Sequence, residues 1–220
     1  MGDVCIIDYG LGNVRAFANV YDRLNIKYSI ATSPRHINGA DRLILPGVGA
    51  FDWAMNRLNA SGFRDALDEV VLNRRVPILG VCVGMQMMAA RSEEGVMAGL
   101  GWIDADVLRF SGSNFGGRGA GSKPLPHMGW NDVVVRRAEN LFYGMASPKF
   151  YFLHSYIVVP RNEENILAET EYGRGFASAV SNGNVYGTQF HPEKSHRWGM
   201  DLLRNFARLG QPDVDGVGIC

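Results

Sequence analysis

At 220 residues the chain is long enough for one large domain with a substantial core, or for two small ones. Lys plus Arg and Asp plus Glu each number 22, so no global field draws nucleic acid or an anionic membrane, and any anion recognition must be local. The three cysteines, Cys5, Cys82 and Cys220, are too few and too scattered for a disulfide framework or a zinc site, which points to a reducing compartment.

The chain opens on Val4-Cys-Ile-Ile-Asp8, a short buried strand, with Cys5 as an inert core thiol. Asp3 and Asp8 interrupt the apolar run there, which argues against a signal peptide. No stretch approaches the ~20 apolar residues of a transmembrane helix, so a cytoplasmic protein is expected. A glycine-rich turn, Tyr9-Gly-Leu-Gly-Asn13, leads into a helix over 14–24. Residues 26–31 and 42–45 read as strands, the second ending in Pro46-Gly-Val-Gly49. Helical patterning over 51–75 breaks near Ser61-Gly62. Residues 76–81 form a fourth strand, which ends at Cys82, and a helix-like run follows over 85–90.

Strands alternating with helices imply right-handed crossovers and a largely parallel sheet, with functional residues at the carboxyl ends of the strands. The second half reads differently. Strand candidates at 103–110, 130–135, 150–158, 165–171, 176–180 and 185–190 follow one another without helices, which suggests antiparallel pairing. Asn182-Gly183 is a hairpin turn between the last two. Residues 111–123 are rich in Gly and Ser and read as a mobile loop. A closing helix is expected over 200–208, and 211–220 reads as a frayed tail after a single domain over 1–210.

The chemistry gathers around Gly80-Val-Cys82-Val-Gly84-Met-Gln86. A strand, a sharp turn with small neighbours and a helix present a nucleophile on strained backbone, as Gly-x-Ser-x-Gly does in hydrolases. Here the nucleophile is sulfur, and the helix start behind it favours thiolate. A thiol nucleophile wants a base, and the base an orienter. Gln189-Phe-His191-Pro-Glu193 supplies both at one predicted strand end, with the proline fixing the turn. His191 would take the thiol proton and Glu193 would hold its tautomer. An oxyanion site needs backbone N–H groups, which Gly47, Val48 and Gly49 could present together with Val83. Gln86, one turn into the helix, could fix an amide substrate. His127 and His154 lie near aromatics and read as structural or substrate-framing. Met85, Met87 and Met88 read as core filler.

Together these residues resemble the triad-type glutamine amidotransferases, whose elements Pro-Gly-x-Gly, Gly-x-Cys-x-Gly-x-Gln and Phe-His-Pro-Glu all occur here in the family's order. Within that family the resemblance is nearly end to end with the glutaminase subunits of imidazole glycerol phosphate synthase. It extends to Ile6-Ile-Asp-Tyr-Gly-Leu-Gly-Asn13, Pro126-His-Met-Gly-Trp-Asn131 and Leu153-His-Ser-Tyr156. It implies a flavodoxin-like α/β fold and needs no cofactor or metal. It implies that Cys82 attacks the side-chain amide of L-glutamine, with His191 and Glu193 as its partners. Gln86, His154, Ser155 and Tyr156 would hold the substrate. The oxyanion segment would complete itself, by a peptide flip, when a partner binds. Ammonia would then pass to a synthase subunit of (β/α)8 fold that makes imidazole glycerol phosphate and AICAR for histidine. Asn13, Trp130 and Lys194 match positions expected at that interface. The stretches Asn13–Ile26 and Ser195–Met200 also look like paralogues that supply ammonia to a sugar amidotransferase for surface polysaccharide. A non-catalytic scaffold and a thiol peptidase are the alternatives of other classes. The intact Cys82, His191 and Glu193 speak against the first, and the matches around Gln86 and Tyr156 against the second.

Overall fold

The structure is a computed structural model and describes residues 3–110, 123–138 and 140–209. Residues 111–122 of the expected loop over 111–123, and the tail over 211–220, lie outside these residues. The first half forms β1 (Val4–Ile7), α1 (Val14–Leu24), β2 (Tyr28–Ala31), β3 (Arg42–Gly47), α2 (Phe51–Ala60), α3 (Phe63–Asp68), β4 (Ile78–Cys82) and α4 (Val83–Met87). The second forms β5 (Arg91–Ser92), β6 (Ala105–Arg109), β7 (His127–Asp132), β8 (Val134–Val135), β9 (Lys149–His154), β10 (Tyr156–Pro160), β11 (Ile166–Glu171), β12 (Gly175–Asn182), β13 (Val185–Thr188) and α5 (His196–Arg208).

An eight-stranded sheet runs in the order β2-β1-β3-β4-β13-β12-β11-β8. Its first five strands are parallel and the rest antiparallel. The four residues of β1, Val-Cys-Ile-Ile, are all buried, the continuous apolar run of a strand covered on both faces. Cys5 packs there as expected. In α1, Val14, Phe17, Ala18 and Tyr21 recur at helical spacing and are buried. The Asn13 side chain accepts from Ala16 N–H at its start, and Asn25 closes it in the left-handed conformation. The break between α2 and α3 falls at Gly62, with φ of 75°.

Several elements depart from expectation. The run over 130–135 falls on the end of β7 and on β8, which join different sheets. The run over 150–158 is two strands, β9 and β10, which part at Ser155 and join different small sheets. The helix after Cys82 starts at once, at Val83, and spans five residues that are all buried. The closing helix begins at His196, four residues earlier than its apolar pattern. A Cβ on Gly199 would sit 1.7 Å from the Pro192 carbonyl, so glycine here lets the helix start against the His-Pro-Glu turn.

Strand β13 is the piece that positions the site. It is the hairpin partner of β12, as Asn182-Gly183 implied, and it also lies parallel beside β4, with Thr188 level with Val81. The segments that leave β4 and β13 therefore emerge side by side, roughly 4.8 Å apart, at the carboxyl end of the parallel strands in the middle of the sheet.

Candidate active site

Cys82 closes β4 with φ of 56° and ψ of −112°, a backbone that residues other than glycine rarely adopt. The surrounding glycines let this turn sink between strands. Gly47, level with Cys82 on β3, and Gly84 approach so closely that a Cβ on Gly84 would lie 2.0 Å from the Leu45 carbonyl. The sulfur points into a cleft. In its thiol form it can donate to the Leu153 carbonyl at 3.8 Å, and in either form the Gln189 amide donates towards it at 3.8 Å.

His191 follows β13. Its Nδ1 lies 2.9 Å from Glu193 Oε1, and the two side chains are only 4% and 2% exposed. Burial by itself would push this imidazole down; hydrogen bonding to Cys82 and to Glu193 outweighs it and holds the ring up at about 9. His191 is thus stabilised as imidazolium between a sulfur and a carboxylate. Its backbone is pinned as well. The buried Ser195 hydroxyl donates to the His191 carbonyl at 2.6 Å and accepts from Tyr151 N–H at 3.0 Å. In the sequence Ser195 only opens the Ser195–Met200 stretch, and its role as a tie between the His-Pro-Glu turn and β9 appears in three dimensions alone.

The cleft holds about 260 Å³, below the roughly 300–1,000 Å³ of drug-sized sites, and suits a single small metabolite. Cys82 and His191 meet in its lining, together with Val48, Gly49 and Val83, the residues expected to form the oxyanion site. Gln86, His154, Ser155, Tyr156 and Lys194 reach it too. Of the residues expected at the site, Glu193 stands behind His191, and Gly47 lies outside the lining, packed on the backbone of Val83 and Gly84. Gln86 is 3% exposed, and its amide nitrogen is already engaged, by the Tyr156 carbonyl and by Gln189 Oε1, each at 3.2 Å.

Two further residues stand at or beside the cleft: Glu94, which no local pattern marked, and Tyr9, which the sequence placed only in a glycine-rich motif. Glu94 lines the cleft and accepts the Phe51 N–H at 2.8 Å, which caps α2 directly after Pro46-Gly-Val-Gly-Ala50. Tyr9, buried, donates its hydroxyl to the Pro46 carbonyl at 2.8 Å and so anchors the same segment from the other side. Of the residues expected at a partner interface, Asn13 caps α1, Trp130 is 47% exposed and stacks on His196, and the Lys194 ammonium stands 6.0 Å from the Tyr151 ring.

Comparison with known proteins shows the family. Residues 5–209 match the family model described as glutamine amidotransferase class-I. The chain belongs to the class-I glutamine amidotransferases. Within that family it is 51% identical over 205 residues to "Imidazole glycerol phosphate synthase subunit HisH" of Bdellovibrio bacteriovorus, covering 93% of this chain and 98% of that protein. Its identity to the same-named protein of Leptospira borgpetersenii is 47%, with the same coverage. It is 44% identical to "Imidazole glycerol phosphate synthase subunit HisH 2" of Pseudomonas aeruginosa, over 94% and 99% of the two chains. The amidotransferase fold also aligns with a chain of PurLQS from Thermotoga maritima, with a TM-score of 0.69 at 16% identity over 94% and 98% of the chains. Among the described residues of this amidotransferase, no helix is long and apolar enough to cross a membrane.

Proposed function

We propose that this class-I glutamine amidotransferase is the glutaminase subunit of imidazole glycerol phosphate synthase, acting in histidine biosynthesis. The observation that carries the reading is the meeting of Cys82, on its strained turn, with the His191–Glu193 pair in one small cleft. Identity of 51% along nearly the full length of a protein of that name supports the choice of pathway.

The proposed reaction uses these residues in turn. Glutamine enters with its side-chain amide beside Cys82. The sulfur, its proton held on His191, attacks the amide carbon. The carbonyl oxygen takes up negative charge and is met by backbone N–H groups of the Val48–Gly49 segment and of Val83. His191 then gives its proton to the leaving nitrogen, the carbon–nitrogen bond breaks, and ammonia departs from a γ-glutamyl thioester. Next His191 takes a proton from water, the hydroxide adds to the thioester, and glutamate leaves as sulfur regains its place beside His191. Glu193 keeps the imidazole in one orientation throughout. The Glu94 carboxylate at the cleft suits the α-ammonium of an amino acid. Ammonia would pass to a (β/α)8 synthase subunit seated over Asn13, Trp130 and Lys194.

The test is Cys82→Ala with the synthase subunit present. Ammonia release from glutamine should vanish while the circular dichroism spectrum stays that of wild type, and retained release overturns the mechanism. Expression in a strain that lacks its own histidine-pathway glutaminase should restore growth without histidine. Failure of a well-expressed, glutamine-hydrolysing chain to do so would move the acceptor to the sugar amidotransferase.

A further inference from the structure

At the cleft wall two histidines touch. His127 Nδ1, on β7, lies 2.9 Å from His154 Nε2, on β9, and both residues are buried. The neighbours of this contact fix where every proton sits. His154 Nδ1 is 2.9 Å from the Tyr156 carbonyl, which can only accept, so Nδ1 carries a hydrogen. At the far end Asn131 has its amide orientation set by two other partners. Its oxygen accepts from Asp132 N–H and its nitrogen donates to the Glu171 carbonyl, each at 2.9 Å. The second hydrogen of that nitrogen faces His127 Nε2 at 3.4 Å, so Nε2 presents a lone pair. His127 must then be protonated on Nδ1, and that hydrogen is donated to a lone pair on His154 Nε2. A single sense of donation runs from Asn131 through both rings to the Tyr156 carbonyl.

The rings are clamped as well as bonded. His127 is stacked between Tyr172, at 3.9 Å between centroids, and Phe152, at 4.7 Å. Burial pushes both imidazoles down, His127 to about 4 and His154 to about 3. Lys123 adds to the effect on the first, and the neighbouring His127 and His191 to that on the second. Both rings are therefore neutral at pH 7, as the donation pattern requires. The carbonyl that ends the chain belongs to the cleft. Tyr156 O also accepts the Gln86 amide at 3.2 Å, and His154, Ser155 and Tyr156 all line the cavity.

We propose that His127 and His154 are positioning residues for glutamine hydrolysis, a neutral, proton-ordered pair that fixes the Ser155–Tyr156 wall against which the substrate lies. Neither ring transfers a proton in the reaction. The proposal rests on the reading of the cleft as a glutamine site, but its structural core does not depend on that reading.

Two measurements test it on the full chain. In the free protein, long-range proton–nitrogen NMR correlations should show both rings as neutral Nδ1–H tautomers from pH 6 to 8. A Nε2–H tautomer or a charged ring at either position would overturn the proposal, whatever the protein hydrolyses. In the presence of the synthase subunit, His127→Leu keeps an apolar filler but removes the donor, whereas the His127→Asn amide can reach the place of Nδ1–H. His127→Leu should raise KM for glutamine about tenfold, the size of one lost buried hydrogen bond, with kcat changed less than about twofold. His127→Asn should restore KM to within about threefold of wild type. A KM unmoved in His127→Leu, or equal damage by both substitutions in chains with wild-type circular dichroism, refutes the positioning role. Absence of glutamine hydrolysis by the wild-type complex would instead refute the proposed function and leave the tautomer result standing.

Discussion

Replacing Gly84 with alanine should force apart two strand ends at the point where the proposed nucleophile meets its oxyanion segment. The new Cβ would lie 2.0 Å from the Leu45 carbonyl oxygen, and the neighbouring atoms on β3 are backbone with no rotamer to relieve the clash. Ordinary contact needs roughly 3.5 Å, so β3 and the Cys82 turn must separate by about 1.5 Å. Overpacking of this kind costs about 1–3 kcal/mol, which for a chain of this size lowers the melting temperature by about 2–12 °C. The larger effect is on rate. β3 carries Pro46 and Gly47 and runs on into Val48–Gly49, and β4 ends on Cys82, so the shift falls on the distance between sulfur and the proposed oxyanion donors. A misplacement of that size costs about a hundredfold in kcat. The assay is glutamate formation at saturating glutamine with the synthase subunit present, beside a calorimetric melt of the same preparation. A Gly84→Ala protein with unchanged kcat and melting temperature would show that the close approach of the two strands is not what sets the site.

Two further substitutions probe the same centre. Because His191 is held up at about 9, above the roughly 6.5 of an unfolded imidazole, the folded chain binds that proton more tightly than the unfolded one. The resulting stability is complete below about pH 6.5 and is lost as pH rises to about 9. Glu193→Gln should flatten this part of the stability curve in thermal melts at a series of pH values, and an unaltered curve would deny the carboxylate its role. Cys82→Gly and Cys82→Ala should both be inactive, but the glycine variant should melt higher. It releases a φ of 56° that alanine must keep, a strain of about 1–3 kcal/mol, and a lower melt for glycine would contradict that strain.

The first half of the fold was open to sequence reading because each strand and helix there carries its own period. The buried run Val4–Ile7, the face Val14, Phe17 and Tyr21, and the Gly62 break all announce themselves locally. The site was legible where chemistry needs unusual residues at short spacing, as at Gly80 to Gln86 and His191 to Glu193. What the sequence hid was long-range. Nothing in Val185–Thr188 says that its second neighbour is β4 and runs parallel to it. The donors of Gln189 and Tyr9, and the pairing of His127 with His154, depend on which strands lie together and have no local signature. The early start of α5 was masked by Gly199, a poor helix residue that is required by contact with Pro192.

The place of β13 in the sheet also bears on how such a chain is made. Gln189 is 107 residues along the chain from Cys82. At translation speeds of about 5–20 residues per second, the ribosome needs on the order of 5–20 s to pass from one to the other. Throughout that interval β4 has β3 on one side and nothing on the other, because its second neighbour has not yet been made. The growing chain therefore carries a bare parallel edge with a thiol at its tip, the kind of edge that invites pairing with other chains. A product truncated before Val185 would be less a weakened enzyme than an open sheet in search of a strand, and its fate belongs to chaperones and proteases.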